Sequence, residues 1–247
     1  MRLTIVGCAG SFPGPESPAS CYLLEHDGHR IVLELGNGSF GALQRCADVY
    51  DIDAVLLSHL HADHCLDLTS YYVARRYHPD GPKPRIPVLG PAGTAERMAR
   101  AYDMPRDPGM TAEFEFRDHA AVTEVGPFTI RTAPANHPVE AYSMRVEAGG
   151  SSLVFSGDTG ATDELVRLGE GADLALFEAS WPSRASNPPD LHMSAAEAAD
   201  HATRAGIDRL VLTHLVPWYD SAECLAEAAA VFDGELSLAA PGAVYDL

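Results

Sequence analysis

Three histidines and an aspartate are packed into the six residues His59-Leu60-His61-Ala62-Asp63-His64, directly after the apolar residues Ile52, Ala54, Val55, Leu56 and Leu57. A run that short and that apolar reads as a buried strand. The polar cluster therefore emerges where the strand stops and a loop begins, which is where sites are commonly built. Neutral imidazole nitrogen and carboxylate oxygen are ligands for zinc and similar divalent ions. The alternation lets His59 and His61 converge on one ion while Asp63 and His64 turn toward a neighbour, which makes the run half of a two-metal site. A histidine-rich surface loop would carry the same residues by accident, so the rest of the chain has to decide.

It supplies further ligands in the same setting. Asn136-His137-Pro138 follows the strand pattern Phe128 to Thr132, Ser156-Gly157-Asp158-Thr159-Gly160 follows Leu153-Val154-Phe155, and Thr213-His214 follows Leu210-Val211-Leu212. Alone, Asp158 is a turn aspartate, His137 a loop histidine and His214 a satisfied core histidine. Together, strand ends that deliver His, Asp and His beside the first cluster are better explained by one site.

The frame is an ordinary globular one. The 247 residues, 46% hydrophobic, are enough to bury a sizeable core, and one domain over residues 1–247 is expected. No apolar run reaches the length of a membrane span, and the chain enters the strand-like Leu3-Thr4-Ile5-Val6 at once, so a cytoplasmic protein without a membrane partner is expected. Cys8, Cys21, Cys46, Cys65 and Cys224 are odd in number and lack a CxxC pair, which suits reduced packing thiols. A net charge of -18, from 35 acidic and 17 basic side chains, repels long polyanions. A small anion is different, because two metal ions in a cleft create a positive local field whatever the overall charge.

Strand-like segments near 2–7, 20–26 and 30–35, with His26-Asp27-Gly28-His29 as a hairpin turn, begin the chain. Helical segments are expected from Phe40 to Ala47 and after His64, a Pro- and Gly-rich loop from Tyr77 to Pro91, and further strands near 113–117, 127–133 and 142–147. Ser194-Ala195-Ala196-Glu197 is a capping box opening an Ala-rich helix that should stop at Gly206, before a strand from Arg209 to Thr213. Mixed strands and helices of this kind fit a layered α/β architecture.

With these residues in place, the chain resembles the metallo-β-lactamase superfamily, whose HxHxDH signature stands as His59 to His64 and whose later motifs are matched in order by His137, Asp158 and His214. The resemblance implies an α/β fold of four layers, an αβ/βα sandwich, and two divalent metal ions, zinc or else manganese. It places one ion on His59, His61, His137 and Asp158, and the other on Asp63, His64, Asp158 and His214, with Asp158 bridging. Phe177-Glu178-Ala179-Ser180 and Leu191-His192-Met193-Ser194 are similar to the ribonuclease Z branch, where a histidine ahead of an Ala-rich helix assists catalysis. His192 is thus a catalytic candidate, and Glu178 either orients it or is a strand-end carboxylate bonded to backbone. Two departures stand out. Only twenty residues separate His137 from Asp158, too few for the arm with which that branch grips transfer RNA, and Glu34 stands where many members place an aspartate, so Glu34 is left outside the ligand set.

A closer resemblance, in Gly14 to Ser20, Phe40 to Arg45, Ser58 to Leu68, Arg76 to Pro79 and Pro188 to His192, is to the atypical class II cyclic-nucleotide phosphodiesterases of actinobacteria. It implies hydrolysis of 3′,5′-cyclic AMP, or a related cyclic nucleotide, to the 5′-monophosphate by a homodimer. Two ions about 3.5–4 Å apart would hold a hydroxide as nucleophile, Asp63 would accept a proton and His192 would protonate the departing O3′. The rival readings are an arm-less RNA nuclease, an ester or lactone hydrolase on the same metals, and a non-catalytic nucleotide-binding module.

Overall fold

The computed structural model describes residues 1–185 and 188–247. In chain order the elements are β1 (Arg2–Gly7), β2 (Cys21–His26), β3 (His29–Leu33), α1 (Ser39–Leu43), β4 (Ala54–Leu56), α2 (Ala62–Cys65), α3 (Leu68–Arg76), β5 (Ile86–Gly90), α4 (Thr94–Ala101) and β6 (Phe114–Asp118). The remainder are β7 (Val122–Val125), β8 (Phe128–Pro134), β9 (Tyr142–Ala148), β10 (Ser151–Phe155), α5 (Asp163–Gly169), β11 (Leu174–Glu178), α6 (Ala195–Arg204), β12 (Arg209–Thr213), α7 (Ser221–Ala229), β13 (Glu235–Leu238) and β14 (Val244–Asp246). The strands form two seven-stranded sheets, ordered β14-β1-β2-β3-β4-β5-β6 and β13-β12-β11-β10-β9-β8-β7.

Strand alternation builds the layers. Leu3, Ile5, Tyr22, Leu24, Leu33 and Leu56 of the first sheet meet Phe128, Ile130, Met144, Val146, Leu153, Phe155 and Leu176 of the second in one buried cluster. Their sequence neighbours point the other way: Leu23, Val32 and Val55 pack under Phe40, Leu68, Tyr71 and Met98 of α1, α3 and α4. On the far side Val154, Ala175, Phe177, Leu210 and Leu212 pack under Leu165, Ala198, Ala202, Cys224 and Ala228 of α5, α6 and α7. A side-chain period of two thus gives each sheet two apolar faces, one for the other sheet and one for helices. Each fully buried Leu or Phe contributes about 1.5–3 kcal/mol. The result is the expected four-layer αβ/βα sandwich.

Two expectations need correction. The loop from Tyr77 to Pro91 contains β5, an interior strand of the first sheet. Pro87 is tolerated because the ladder with β4 begins only at Val88, so the missing N–H falls before it. The helix expected to reach Ala47 ends at Leu43 in α1. By contrast the Ser194–Glu197 capping box forms with both reciprocal hydrogen bonds, and α6 ends at Arg204, two residues before Gly206 at φ +67. Cys8, Cys21, Cys65 and Cys224 are buried free thiols, while Cys46 is exposed. Among the described residues no helix is long and apolar enough to cross a membrane.

The pairings set strand direction, and direction sets the site. β1, β3 and β4 run the same way in the first sheet, as do β8, β10, β11 and β12 in the second. Their carboxyl ends all reach one edge of the sandwich, and those ends with the loops that leave them carry the candidate metal and catalytic residues.

Candidate metal centre

The loop after β4 brings Ser58 to His64 across that edge, and its depth is fixed by close backbone approaches. A Cβ on Gly36, just beyond β3, would fall 1.9 Å from the carbonyl oxygen of Asp63, and one on Gly10, beyond β1, 2.2 Å from that of His214. Only glycine lets those two turns lie against the loops that carry the ligands.

Four ligand atoms meet on one side. His59 Nε2 lies 2.9 Å from His61 Nδ1, His137 Nε2 lies 3.3 Å from that same nitrogen, and Asp158 Oδ2 lies 3.6 Å from His59 Nε2. A second set meets beside it. His64 Nε2 is 3.2 Å from His214 Nε2, Asp63 Oδ2 is 3.2 Å from His214 Nε2 and 3.4 Å from His64 Nε2, and Asp158 Oδ1 is 3.2 Å from His64 Nε2 and 3.4 Å from His214 Nε2. Within each set of four the donor atoms lie within 4.8 Å of one another. Tetrahedral bonds of about 2.0–2.1 Å place neighbouring ligand atoms about 3.4 Å apart, so both sets have the spacing a zinc-sized ion requires. Asp158 turns one oxygen to each.

The chemistry of the donors agrees. Ring nitrogens of several imidazoles crowd together, and Asp158 Oδ1 has no hydrogen-bond partner among the described residues. Such an arrangement is costly unless a cation fills it. Burial, aided by the neighbouring His64, pushes His59 well below the usual histidine range, and burial also lowers His61 and His137. Burial opposes a charge on His64 too, but Asp158, Asp63 and Glu34 outweigh it and hold the ring protonated well above that range. A metal held by His64 would take the place of that proton. Asp63 and Asp158 are buried against these rings, whose pull outweighs desolvation and keeps both carboxylates ionised.

Outer partners aim the ligands. His137 Nδ1 donates to the Leu191 carbonyl at 2.8 Å, His59 Nδ1 lies 3.0 Å from Ser58 Oγ, and His214 Nδ1 lies 3.0 Å from Ser180 Oγ. Glu34, fully buried at φ +64, accepts the Ser58 amide at 2.8 Å and sets its other oxygen 3.5 Å from His64 Nδ1. It belongs behind the ligands and not among them. Ser58, Ser180 and the Leu191 carbonyl were missed by sequence reasoning, since small hydroxyls and carbonyls carry no pattern. Glu34 had one, a charged residue closing an apolar strand.

His192 stands at the edge of the same cluster, its Nδ1 3.0 Å from Glu178 Oε1 and 3.8 Å from Asp158 Oδ2. Burial lowers its affinity for a proton, but Glu178 and Asp158 prevail and push it up to about 9. Glu178 contacts both His192 and backbone. Oε1 also accepts the Thr159 amide at 2.6 Å, and Oε2 accepts the Ser180 hydroxyl at 2.6 Å. Glu178, His192 and His214 have ligand atoms within 4.8 Å of one another as well. With His192 already turned to Glu178, this third grouping continues the second set. His119 also reaches the site's supports, its Nε2 lying 2.9 Å from the Leu57 carbonyl.

Residues 29–215 match a sequence family described as the β-lactamase superfamily domain. An uncharacterized protein of Mycobacterium leprae is 42% identical over 254 residues, which span 100% of this chain and 89% of that protein. The ribonuclease Z of Mycolicibacterium gilvum is 32% identical over 249 residues, 88% of this chain and 85% of that enzyme. The crystal structure of the metallo-β-lactamase fold protein YhfI from Bacillus subtilis superposes with a TM-score of 0.89 at 27% identity, covering 99% of each chain.

Proposed function

The chain belongs to the metallo-β-lactamase superfamily, and from that premise we propose that it is a dinuclear metal-dependent phosphodiesterase that opens 3′,5′-cyclic nucleotides, cyclic AMP foremost, to their 5′-monophosphates. The observation that supports this most is Asp158, whose two oxygens face two separate ligand sets, with an imidazole at hand in His192. Zinc is the expected ion and manganese the alternative, since His and carboxylate sites accept both.

Bound divalent ions would supply Lewis acidity toward a phosphoryl oxygen and an acidified water. The chain's own residues do the rest. Asp63, 8% exposed, is placed to accept a proton from the attacking water. His192, held protonated by Glu178, is placed to deliver one to the departing O3′. The net charge of -18 and the short His137–Asp158 connection favour a small anionic ester over structured RNA.

The likeness to ribonuclease Z supports a second reading, a short RNA nuclease on the same metals. Metal-reconstituted protein incubated with 3′,5′-cyclic AMP and, in parallel, with a precursor transfer RNA separates the two, with Asp63→Ala as control. Release of 5′-AMP by the wild type alone is the expected result. Cleavage of RNA alone would overturn the cyclic-nucleotide reading.

A further inference from the structure

Two loops meet on the His214 side of the centre and present an aromatic pair that the metal chemistry leaves unused. Phe12, in the loop after β1, and Trp218, in the loop after β12, have ring centroids 5.0 Å apart at 47°. Trp218 is 75% exposed, more than any other large apolar side chain among the described residues. Single exposed apolar residues are ordinary. This one lies tilted against Phe12, and backbone contacts tie together the two segments that carry the pair.

The Gly10 amide donates to the Leu215 carbonyl at 3.0 Å, the Ser11 amide lies 3.4 Å from His214 Nε2, and Gly14 lies close enough to Pro217 that a Cβ there would meet its ring at 3.1 Å. Pro13, Pro15 and Pro18 stiffen the first segment, and the Cys8 amide bonds Ser17 Oγ at 2.9 Å to close it. Ser11 touches a metal-facing nitrogen, so the Phe12 backbone is within about 9 Å of that atom by chain geometry, a gap that a ribose can bridge.

We propose that Phe12 and Trp218 are the platform for the nucleobase of a cyclic nucleotide whose phosphate sits at the metal centre, an inference that rests on the phosphodiesterase reading above. The chemistry of the rim selects that occupant. Neither segment, residues 9–20 or 213–223, contains a lysine or arginine; Glu16 and Asp220 add negative charge, while Glu223 is paired with Arg184. The two segments offer an anionic group no cation of their own, whereas an uncharged aromatic ring gains by stacking on the exposed Trp218 face. A stacked base carries enough binding energy for its loss to be read directly in KM.

The test uses metal-loaded full-length protein and two substrates, 3′,5′-cyclic AMP and the abasic ribose 3′,5′-cyclic phosphate, with wild type, Trp218→Ala, Phe12→Ala and Trp218→Tyr. The kcat/KM preference for cyclic AMP over the abasic ester should fall about five- to a hundredfold in each alanine variant and survive in Trp218→Tyr. An equal loss on both substrates, or no loss, overturns the platform while the phosphodiesterase reading stands. If the wild type cleaves neither ester, calorimetric titration with 5′-AMP and ribose 5-phosphate decides. A preference for 5′-AMP that disappears in Trp218→Ala upholds the platform although the phosphodiesterase reading has failed, and the same affinity for both ligands overturns the platform.

Discussion

Glu178 Oε1 stands 3.0 Å from Nδ1 of His192 while its other oxygen holds the Ser180 hydroxyl that faces Nδ1 of His214. One carboxylate therefore positions both the candidate acid and a candidate ligand. His192→Ala should lower kcat by about 10²–10⁴ and leave two metal ions per chain. Glu178→Gln keeps the shape but not the charge, and should lower kcat by about 10–100-fold with KM nearly constant. Glu178→Ala also strands the Thr159 amide and should cost about 1–3 kcal/mol of stability. Steady-state kinetics with thermal unfolding and metal analysis check all three, and an undiminished kcat in Glu178→Gln would remove it from the mechanism.

Glu34 has no bond to the substrate region, yet it is buried behind His64 and braced by the Ser58 amide. A carboxylate behind a ligating imidazole fixes the ring and raises its basicity, and loss of such a partner weakens metal binding by about 10–100-fold. Glu34→Gln should accordingly weaken one ion, the one facing Asp63, His64 and His214, and leave the other unchanged. Competition titrations with a chelating dye would show one affinity shifting and one holding. A parallel shift of both would mean that Glu34 acts through the fold at large.

Because Asp158 alone serves both ligand sets, its removal differs in kind from loss of any other ligand. His61→Ala and His214→Ala should each fall from two ions to about one per chain, and Asp158→Ala to nearly none. Stripping the wild type with a chelator should lower its melting temperature, since an ion present at 1,000 times its Kd stabilises the native state by about 4 kcal/mol. Elemental analysis and calorimetry on the same samples would test this. Two ions retained by Asp158→Ala would contradict a bridging role.

The sequence revealed the ligand-bearing loops more readily than the sheet that gathers them. Ile52 to Leu57 and Leu210 to Leu212 announced strands because apolar runs end abruptly in histidine, and the fold does bring those ends to one edge. β5 was hidden because Pro87, the preceding Pro84 and the terminal Gly90 look like loop, and only the late start of the β4 ladder makes Pro87 harmless. α4 and α7 were unreadable for a different cause. Thr94–Ala101 divides evenly between polar and apolar residues and buries only Thr94, Met98 and Ala99, and Ser221–Ala229 only Cys224 and Ala228, so neither buries the run of large apolar side chains that would mark a core-facing helix. Glu34 lay outside the ligand set on sequence grounds, and its distance to His64 explains why a longer carboxylate than aspartate fits there.

His119 offers a pH test at a histidine outside both ligand sets. Its ring is tilted against Tyr142 with centroids 4.9 Å apart, and Nε2 lies 2.9 Å from the Leu57 carbonyl, so it braces the strand end that precedes Ser58. Burial lowers its pKa below the ordinary 6.5, only partly offset by the Leu57 carbonyl and by Glu140 and Asp118. A histidine depressed in the native state binds its proton more readily when unfolded. Stability from this group is therefore fully present above the native value's upper neighbour, the unfolded pKa near 6.5, and declines as pH falls below it. His119→Gln loses packing and should cost about 1–2 kcal/mol at pH 7.5. The deficit should narrow toward pH 5, where the wild type alone carries the penalty of a neutral buried ring. Urea unfolding of both proteins from pH 5 to 8, with metal held in excess, gives the difference directly, and a deficit that stays constant across that range would show that His119 keeps its ordinary affinity for the proton.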